Sequence, residues 1–208
     1  MTGHYAQIAF TDTVREHQRT HGSLRSYERM AAVPAVADRL TQDEAWFITE
    51  RDSFYMATVS ETGWPYIQHR GGPRGFLKVL DAHTLGFADF RGNRQYISRG
   101  NLDHDDRVAL FLMDYAARTR LKIMGRARIV EAGDDPELIA SLRTGDYKAH
   151  VERAVLIEVE AFDWNCSQHI PELYPREEVL EAVQGMRERI EELERENARL
   201  RRTHAGDD

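Results

Sequence analysis

The chain has one cysteine, Cys166, and no long apolar run, and these two shortages exclude several classes of protein. A single thiol cannot form an internal disulfide framework, so the chain is not a small secreted domain held by disulfides. No window approaches the ~20 apolar residues of a membrane span, and the Met-Thr-Gly-His start lacks the apolar core of a secretory signal. We therefore expect a soluble, cytoplasmic protein without a membrane partner.

The glycine patterns that bind nucleotides are also missing. There is no Walker motif and no GxGxxG after a strand, and the glycines of residues 71–75 lie between predicted strands, where tight turning explains them. The formal net charge of −7 argues against a general binder of nucleic acid, although a local basic pocket can still hold a phosphorylated small molecule. We therefore expect a small-molecule partner.

The chain has enough apolar material for one sizeable core. Its 208 residues, of which 41% are hydrophobic, suit one compact domain with an appendage. Residues 1–50 predict a helical lead-in that packs on this domain. Within it, Thr41 and Glu44 have the spacing of a capping box ahead of an apolar run.

Residues 51–175 change to the pattern of short β-strands. Turn-like stretches separate the β-rich runs FYMATVS, PYIQHR, GFLKVLD, LGFADF, RVALFLMDY, RTRLKIMGRARIV and AVLIEVEAF. The fifth run, residues 107–115, is so continuously apolar that it predicts a strand buried on both faces. Because no β-α alternation repeats, we expect a mainly β fold, a closed or split antiparallel barrel with added helices.

Residues 176–208 have the seam of a coiled coil. Residues at alternating spacings of four and three form the seam: Val179, Val183, Met186, Ile190, Leu193, Asn197 and Leu200. A single Asn at an a position fixes the register of a two-stranded coil, and opposite charges at the flanking g and e positions suit a parallel pair. We expect a dimerisation helix. The alternative is an amphipathic helix docked on its own domain, because the seam is short.

An anion site is predicted by GNRQYISRGNL, residues 92–102, which follows a short apolar strand. Polar and basic side chains crowd this strand-to-helix junction, among them Asn93, Arg94, Gln95 and Ser98. Helix amides without internal partners, together with the helix dipole, make such a junction suitable for a phosphate.

Two further segments each leave two interpretations open. The strand around residues 118–128 has a basic face, where Arg120 suits an anionic ligand and Arg126 suits an ion pair with Glu158 or Glu160. Residues 164–175, WNCSQHIPELYP, suit either a wall around a flat heterocycle or a loop that covers the barrel.

The order of the motifs from residue 54 to about residue 130 resembles that of the pyridoxamine 5′-phosphate oxidase-like flavoproteins. More narrowly, the chain is similar to the predicted flavin-nucleotide-binding branch, whose members have segments resembling THGSLRSYERM and WNCSQHIPE. The resemblance covers most of residues 10–175. It implies a split β-barrel homodimer that binds FMN at the subunit interface.

The resemblance also implies which residues hold the phosphate of FMN. Asn93, Arg94 and Gln95 stand where the oxidases have a basic Ser-Arg-Lys run, and Ser98 follows in the same junction. Lys78 matches the lysine of the family's strand motif.

Six further residues are placed near the cofactor by the same resemblance: Gln68, His69, Arg70, Arg120, Gln168 and His169. The first three lie on the strand expected near the flavin ring, and the last three would reach the cofactor from the second subunit. His69 is also a candidate proton donor, because imidazole titrates near neutral pH.

The expected activity is that of an FMN-dependent oxidoreductase, with a hydride moving between the flavin and an unidentified small molecule or a reduced nicotinamide. Gln95 replaces a basic residue of the oxidases, and a coiled-coil helix stands where they handle pyridoxal, so we do not expect vitamin B6 oxidation. The alternatives are a non-catalytic flavin carrier or sensor, or a related barrel that uses a deazaflavin or a haem, with His69 or His169 as the axial ligand.

Overall fold

The structure is a computed structural model that describes residues 2–32, 36–164 and 168–204. It divides into two compact units, Met1–Asp114 with Arg118–His169, and Tyr115–Ala117 with Ile170–Asp208. In its described part, no helix is both long and apolar enough to cross a membrane. Cys166 lies outside the described residues.

The first unit contains all the strands and six helices of the described chain. The strands are β1 (Ser53–Val59), β2 (Pro65–Gly71), β3 (Lys78–Val79), β4 (Thr84–Phe90), β5 (Arg107–Asp114), β6 (Thr119–Glu131) and β7 (Val151–Trp164). The helices are α1 (Gly3–Ala9), α2 (Asp12–Thr20), α3 (Leu24–Ala31), α4 (Gln42–Thr49), α5 (Ile97–His104) and α6 (Pro136–Leu142). The second unit contains α7 (Arg176–His204).

The seven strands form one antiparallel sheet in the order β2-β1-β5-β6-β7-β4-β3. Strands β1 and β4 are far apart in that order, yet the rings of Phe54 and Phe87 lie 5.4 Å apart in the core. Near the open side, Arg70 of β2 pairs with Asp89 of β4 at 2.6 Å. The sheet therefore rolls up around the apolar core, and the split β-barrel predicted from the sequence is confirmed.

The helical lead-in contacts the sheet through hydrogen bonds. Thr2, which caps α1, donates to the carbonyl of Phe162 at 2.9 Å. The predicted capping box at α4 is confirmed, with Thr41 and Glu44 as its two members. Glu44 is buried and also accepts a hydrogen bond from the Trp164 indole at 2.6 Å, so it joins α4 to β7.

Glu44→Gln is expected to reduce the pH dependence of stability. Burial raises the pKa of Glu44, but hydrogen bonds from Thr41 and Trp164 outweigh this effect, so the pKa is lowered from 4.5. A lowered folded-state pKa stabilises the fold above pH 4.5, and this contribution is lost as the pH falls through the folded value. Thermal midpoints between pH 7 and pH 3 should fall less steeply for Glu44→Gln. The exposed Glu61→Gln is the control, and equal slopes for both variants would contradict the assignment.

Strand β5 differs from the sequence prediction of burial on both faces. Its burial alternates: Val108, Leu110 and Leu112 are buried, whereas Ala109 is exposed and Phe111 is only partly covered. The second apolar set points away from the core of this chain. For a single chain the prediction was wrong, because a continuous apolar run does not show which element, if any, covers each face of a strand.

Strand β6 alternates as predicted, with Leu121, Ile123 and Ala127 in the core. On its other face, Arg126 pairs with Glu160 at 2.9 Å, which confirms the ion-pair interpretation for that residue. Lys122 lies opposite Asp163 of β7, and their side chains pair at 2.7 Å.

Gly125 occupies a bulge in β6 where the pairing with β7 shifts register. A Cβ at this position would lie 2.4 Å from the carbonyl oxygen of Glu158 and 2.9 Å from a methyl of Ile157. Because the nearest atom belongs to the backbone of a central strand, we expect Gly125→Ala to destabilise the fold by about 1–3 kcal/mol. Urea unfolding measures this, with Gly133→Ala, where a Cβ meets open space, as the control. Equal midpoints for the two variants would contradict the steric argument.

Candidate functional site

A polar cavity of about 220 Å³ lies where β2, β4, β7 and the loop before α5 meet. Its lining residues are Tyr66, Gln68, Arg70, Asp89, Phe90, Gly92, Asn93, Arg94, Gln95, Tyr96, Ile97, Ser98, Arg99, Glu152 and Arg153. We call residues 92–99 within this lining the cradle. The sequence prediction of an anion site at residues 92–102 falls on this cavity.

The backbone of the cradle is strained before the helix begins. Arg94 and Tyr96 have φ values of 60° and 55°, in the left-handed region that side chains other than glycine rarely adopt. These conformations delay the helix, so α5 starts at Ile97 rather than directly after the strand. No described side chain caps its first turn, so the first amide groups remain available to an anion.

Two hydrogen bonds fix α5 against the sheet. The buried Ser98 hydroxyl donates to Oε1 of Gln68 on β2 at 2.9 Å. One turn later, the buried Asn101 amide donates to the hydroxyl of Thr58 on β1 at 2.9 Å. Because both helix residues are buried, these bonds hold the start of α5 in place beside β2.

Behind the cradle, a network of ion pairs joins strands that are distant in the sequence. Arg70 and Arg153 both pair with Asp89, at 2.6 Å and 3.5 Å. Burial raises the pKa of Asp89, and the two guanidinium groups oppose this effect without cancelling it. Arg153 also pairs with Glu152 at 3.2 Å. The network fixes the back wall of the cavity because each charge has a partner.

Arg94 differs from the other arginines of the cavity. Its Nε donates to the Tyr96 hydroxyl at 2.8 Å, and this hydrogen bond raises the pKa of the guanidinium. Within the described chain, no carboxylate forms an ion pair with it. Arg70, Arg99 and Arg153 all have carboxylate partners. Arg94 thus carries a cation that an incoming anion can neutralise.

The lining fits a phosphate group. Of the four arginines that line the cavity, Arg70, Arg99 and Arg153 pair with carboxylates, so Arg94 is the cation that the described carboxylates leave for a phosphate. The Nε of Arg70 is buried and no described atom accepts its hydrogen bond, so a further acceptor would satisfy it. The donors are guanidinium, amide, hydroxyl and backbone N–H groups, the types that bind phosphate oxygens.

Six of the residues predicted from the sequence lie together in this lining: Gln68, Arg70, Asn93, Arg94, Gln95 and Ser98. The side chain of Asn93 accepts from the backbone N–H of Gln95 at 3.2 Å and so shapes the loop. Their role in binding a cofactor stays a prediction.

His69 and Lys78 lie outside the lining. Successive side chains of a strand point to opposite faces, so His69 lies on the other face from Gln68 and Arg70, where its ring contacts Tyr55 at 5.6 Å. The ammonium of Lys78 donates to the carbonyls of Ser141 and Arg143 at 2.8 and 2.9 Å, at the C-terminus of α6. That contact stabilises a helix end.

Arg120, Gln168 and His169 also lie outside the cavity of this chain. The Arg120 guanidinium lies over the ring of Phe111 at 5.8 Å, and its Nε is buried with no hydrogen-bond partner among the described residues. Gln168 and His169 are exposed, and His169 has a φ of 63°. A role toward a cofactor bound by a second subunit stays a prediction for all three.

Local sequence pattern did not single out Asp89, Glu152 or Arg153 for the cavity, and it included Tyr96 only as a member of residues 92–102. Asp89 is the polar residue of the otherwise apolar run LGFADF, and this irregularity is the one signal that could have singled it out. Arg153 lies on β7, and its guanidinium lies 5.3 Å from the centre of the Tyr96 ring. The two residues meet only because the sheet rolls up. The spacing of residues along the sequence cannot predict such long-range contacts.

A second cavity, of about 450 Å³, lies on the outward face of β1, β5 and β6. Ala57, Val59, Ala109 and Met124 contribute apolar surface to it. The exposed part of β5 therefore belongs to a larger apolar face, and Tyr55, opposite Phe111 on the same face, is 40% exposed.

The seven-stranded antiparallel sheet, rolled up around its apolar core, places this fold in the class of split β-barrels. The family model described as pyridoxamine 5′-phosphate oxidase matches residues 40–177, which is more than half of the chain. The chain belongs to this family. No curated protein matches the chain.

Solved structures with a similar fold come from several bacteria. HupZ from Group A Streptococcus is 20% identical, with a TM-score of 0.46, over 65% of this chain and 99% of that one. A protein related to general stress protein 26, from Clostridium acetobutylicum, is 14% identical, with a TM-score of 0.44, over 66% and 94%. An FMN-binding protein from Syntrophomonas wolfei is 12% identical, with a TM-score of 0.44, over 73% and 96%.

Proposed function

We propose that this chain binds FMN with the phosphate in the cradle, and that it is an FMN-dependent oxidoreductase acting on an unidentified small molecule. The observation that carries the proposal is the set of donors around one cavity. The Arg94 guanidinium, which has no ion-pair partner in the described chain, lies beside the uncapped start of α5. A doubly charged phosphate satisfies both.

Each part of the cradle has a distinct task in this proposal. Arg94 and the first-turn amides of α5 bind phosphate oxygens, and the hydroxyl of Ser98 keeps the helix at the right distance from β2 through Gln68. Arg70, held by Asp89, contributes a further guanidinium to the wall of the same cavity. Gln95 offers a neutral hydrogen-bonding group where the oxidases have a basic residue, and Asn93 shapes the loop through the backbone N–H of Gln95.

The size of the cavity places a limit on what it holds. At about 220 Å³ it is smaller than the roughly 300–1,000 Å³ of pockets that enclose a whole drug-sized ligand. It therefore suits the phosphate end of FMN, and the flavin ring needs additional surface.

A homodimer supplies that surface in our proposal. The outward apolar face around Tyr55, Ala109 and Phe111 is the part of β1 and β5 that the core of one chain leaves uncovered. In the proposed dimer, the second copy covers this face, and Arg120, Gln168 and His169 of the partner subunit contact the cofactor. A large apolar face favours such a permanent contact.

A bound flavin supplies hydride-transfer chemistry, whereas the protein supplies binding, orientation and exclusion of water. The side chains of the cradle have no part in bond making under this proposal. They hold the phosphate, and this contact fixes the flavin ring relative to a substrate or a reduced nicotinamide.

An absorption spectrum of the purified full chain tests the proposal. Oxidised flavin bands support it, whereas a Soret band or a deazaflavin spectrum contradicts the choice of FMN. Addition of NADH or NADPH under anaerobic conditions should then bleach the flavin bands, and oxygen or another acceptor should restore them. A flavin that no nicotinamide or small-molecule donor bleaches would contradict the oxidoreductase part and identify a carrier or sensor.

A further inference from the structure

Helix α7 (Arg176–His204) presents an uncovered apolar seam. All its described side chains are exposed, including Met186 at 65% and Ile190 at 55%. At 29 residues it is about 43 Å long. A helix of this length with exposed apolar residues along one stripe is stabilised when a partner covers the stripe.

The seam has the geometry of a coiled coil. With Val183, Ile190 and Asn197 at the a positions, the d positions hold Val179, Met186 and Leu193. The spacing alternates between four and three residues, an average of 3.5, which gives the left-handed supercoil of two-stranded coils. β-Branched residues at a and a polar Asn at one a position favour two strands over three.

Charge complementarity identifies the partner. In a parallel pair, a g residue faces the e residue five positions later on the other chain. Arg189 at g then faces Glu194 at e, and Glu196 at g faces Arg201 at e. Both contacts join opposite charges, and each occurs twice in a symmetric pair. Arg189 also lies near Glu192 of its own helix, at 2.5 Å, but such exposed pairs exchange readily.

We propose that α7 pairs with α7 of a second copy of this chain, as a parallel, in-register, two-stranded coiled coil. Asn197 fixes the register, because its amide is satisfied in the seam only opposite another Asn197. The proposal goes beyond flavin binding and does not depend on it. The surface concerned is the apolar seam of α7 in the second unit, whereas the apolar face of β1 and β5 belongs to the first unit.

Disulfide trapping in the full chain tests the proposal. In a Cys166→Ser background, which removes the one native thiol, Val179→Cys and Leu193→Cys place a thiol at a d position near each end of the seam. Identical d positions lie within disulfide range only in a parallel, in-register pair. We expect both variants to form covalent dimers under mild oxidation.

Matched controls lie two residues away, at the outward f positions. Glu181→Cys and Arg195→Cys should remain largely uncross-linked at the same protein concentration. Cross-linking at one d site but not the other would indicate an antiparallel pair and overturn the proposal. Equal yields at d and f positions, or no cross-link at either d position, would overturn it as well and point to a different occupant of the seam.

A charge reversal provides an independent readout. Arg189→Glu places two acids opposite each other, so the rate of cross-linking through Leu193→Cys should fall several-fold. Adding Glu194→Arg to the same chain restores complementary pairs and should restore the rate. A rate that does not respond to the first change, or is not recovered by the second, would contradict the parallel register.

Discussion

Arg94→Ala is expected to weaken FMN binding about ten- to a hundred-fold. The reason is the position of this guanidinium: it lines the cradle, stays charged, and is paired with no carboxylate of the described chain. A phosphate therefore gains a charge-assisted contact without having to displace an existing ion pair. Titration of the apoprotein with FMN, followed by flavin fluorescence, measures the change.

Riboflavin serves as the matched ligand for this prediction, because it has the same ring and side chain without the phosphate. Arg94→Ala should leave the affinity for riboflavin nearly unchanged, and Arg94→Lys, which keeps the charge but not the fork, should lie between Ala and the wild type. Arg74→Ala, which removes an exposed arginine paired with Glu50 outside the cavity, should bind FMN normally. Equal losses for FMN and riboflavin would show that Arg94 does not contact the phosphate.

Lys122→Ala is expected to destabilise the fold by about 3–5 kcal/mol. Lys122 pairs at 2.7 Å with Asp163, whose side chain is only 2% exposed, and its ammonium also lies 5.0 Å from the Tyr5 ring. Burial lowers the pKa of Lys122, but Asp163 and Tyr5 outweigh this effect and the pKa is raised. Removing the ammonium takes away the cation that pairs with this buried carboxylate in the structure. Urea unfolding of the purified variant measures the loss.

Two further variants separate the loss of the buried ion pair from a general loss of charge. Arg126→Ala removes a cation from the same face of β6, but one that is half-exposed, so its unfolding midpoint should stay close to that of the wild type. Lys122→Met combined with Asp163→Asn removes both charges and should recover much of the stability. If Arg126→Ala destabilised the fold as strongly as Lys122→Ala, burial of the pair would not be the cause.

The alternation of polar and apolar residues was sufficient to predict most of the barrel. It placed Leu121 and Ile123 in the core, and the capping box at Thr41 marked the start of α4. It could not predict what covers the second face of β5, because local pattern contains no information about a partner. The short β3, of only two residues, also differs from the longer run GFLKVLD that predicted it.

The candidate site, like the barrel, could be predicted only in part from the sequence. Residues 92–99 were recognisable as a candidate phosphate site from their composition and their position after a strand, because the features that define such a candidate are local in the sequence. Gln68 and Arg70 could be assigned to one strand, and the alternation of side chains along a strand already separates them from His69. Which of the two faces lines the cavity became clear only from the fold. Asp89 and Arg153 meet Arg70 only because the sheet rolls up, so no spacing rule could bring them together.

A crystal structure of the full chain with FMN would show where the phosphate binds. We expect the phosphate within hydrogen-bonding distance of Arg94 and of the first-turn amides of α5, with the flavin ring extending from the cradle to a second subunit. A phosphate bound elsewhere, with the cavity formed by residues 92–99 holding only solvent, would contradict this expectation.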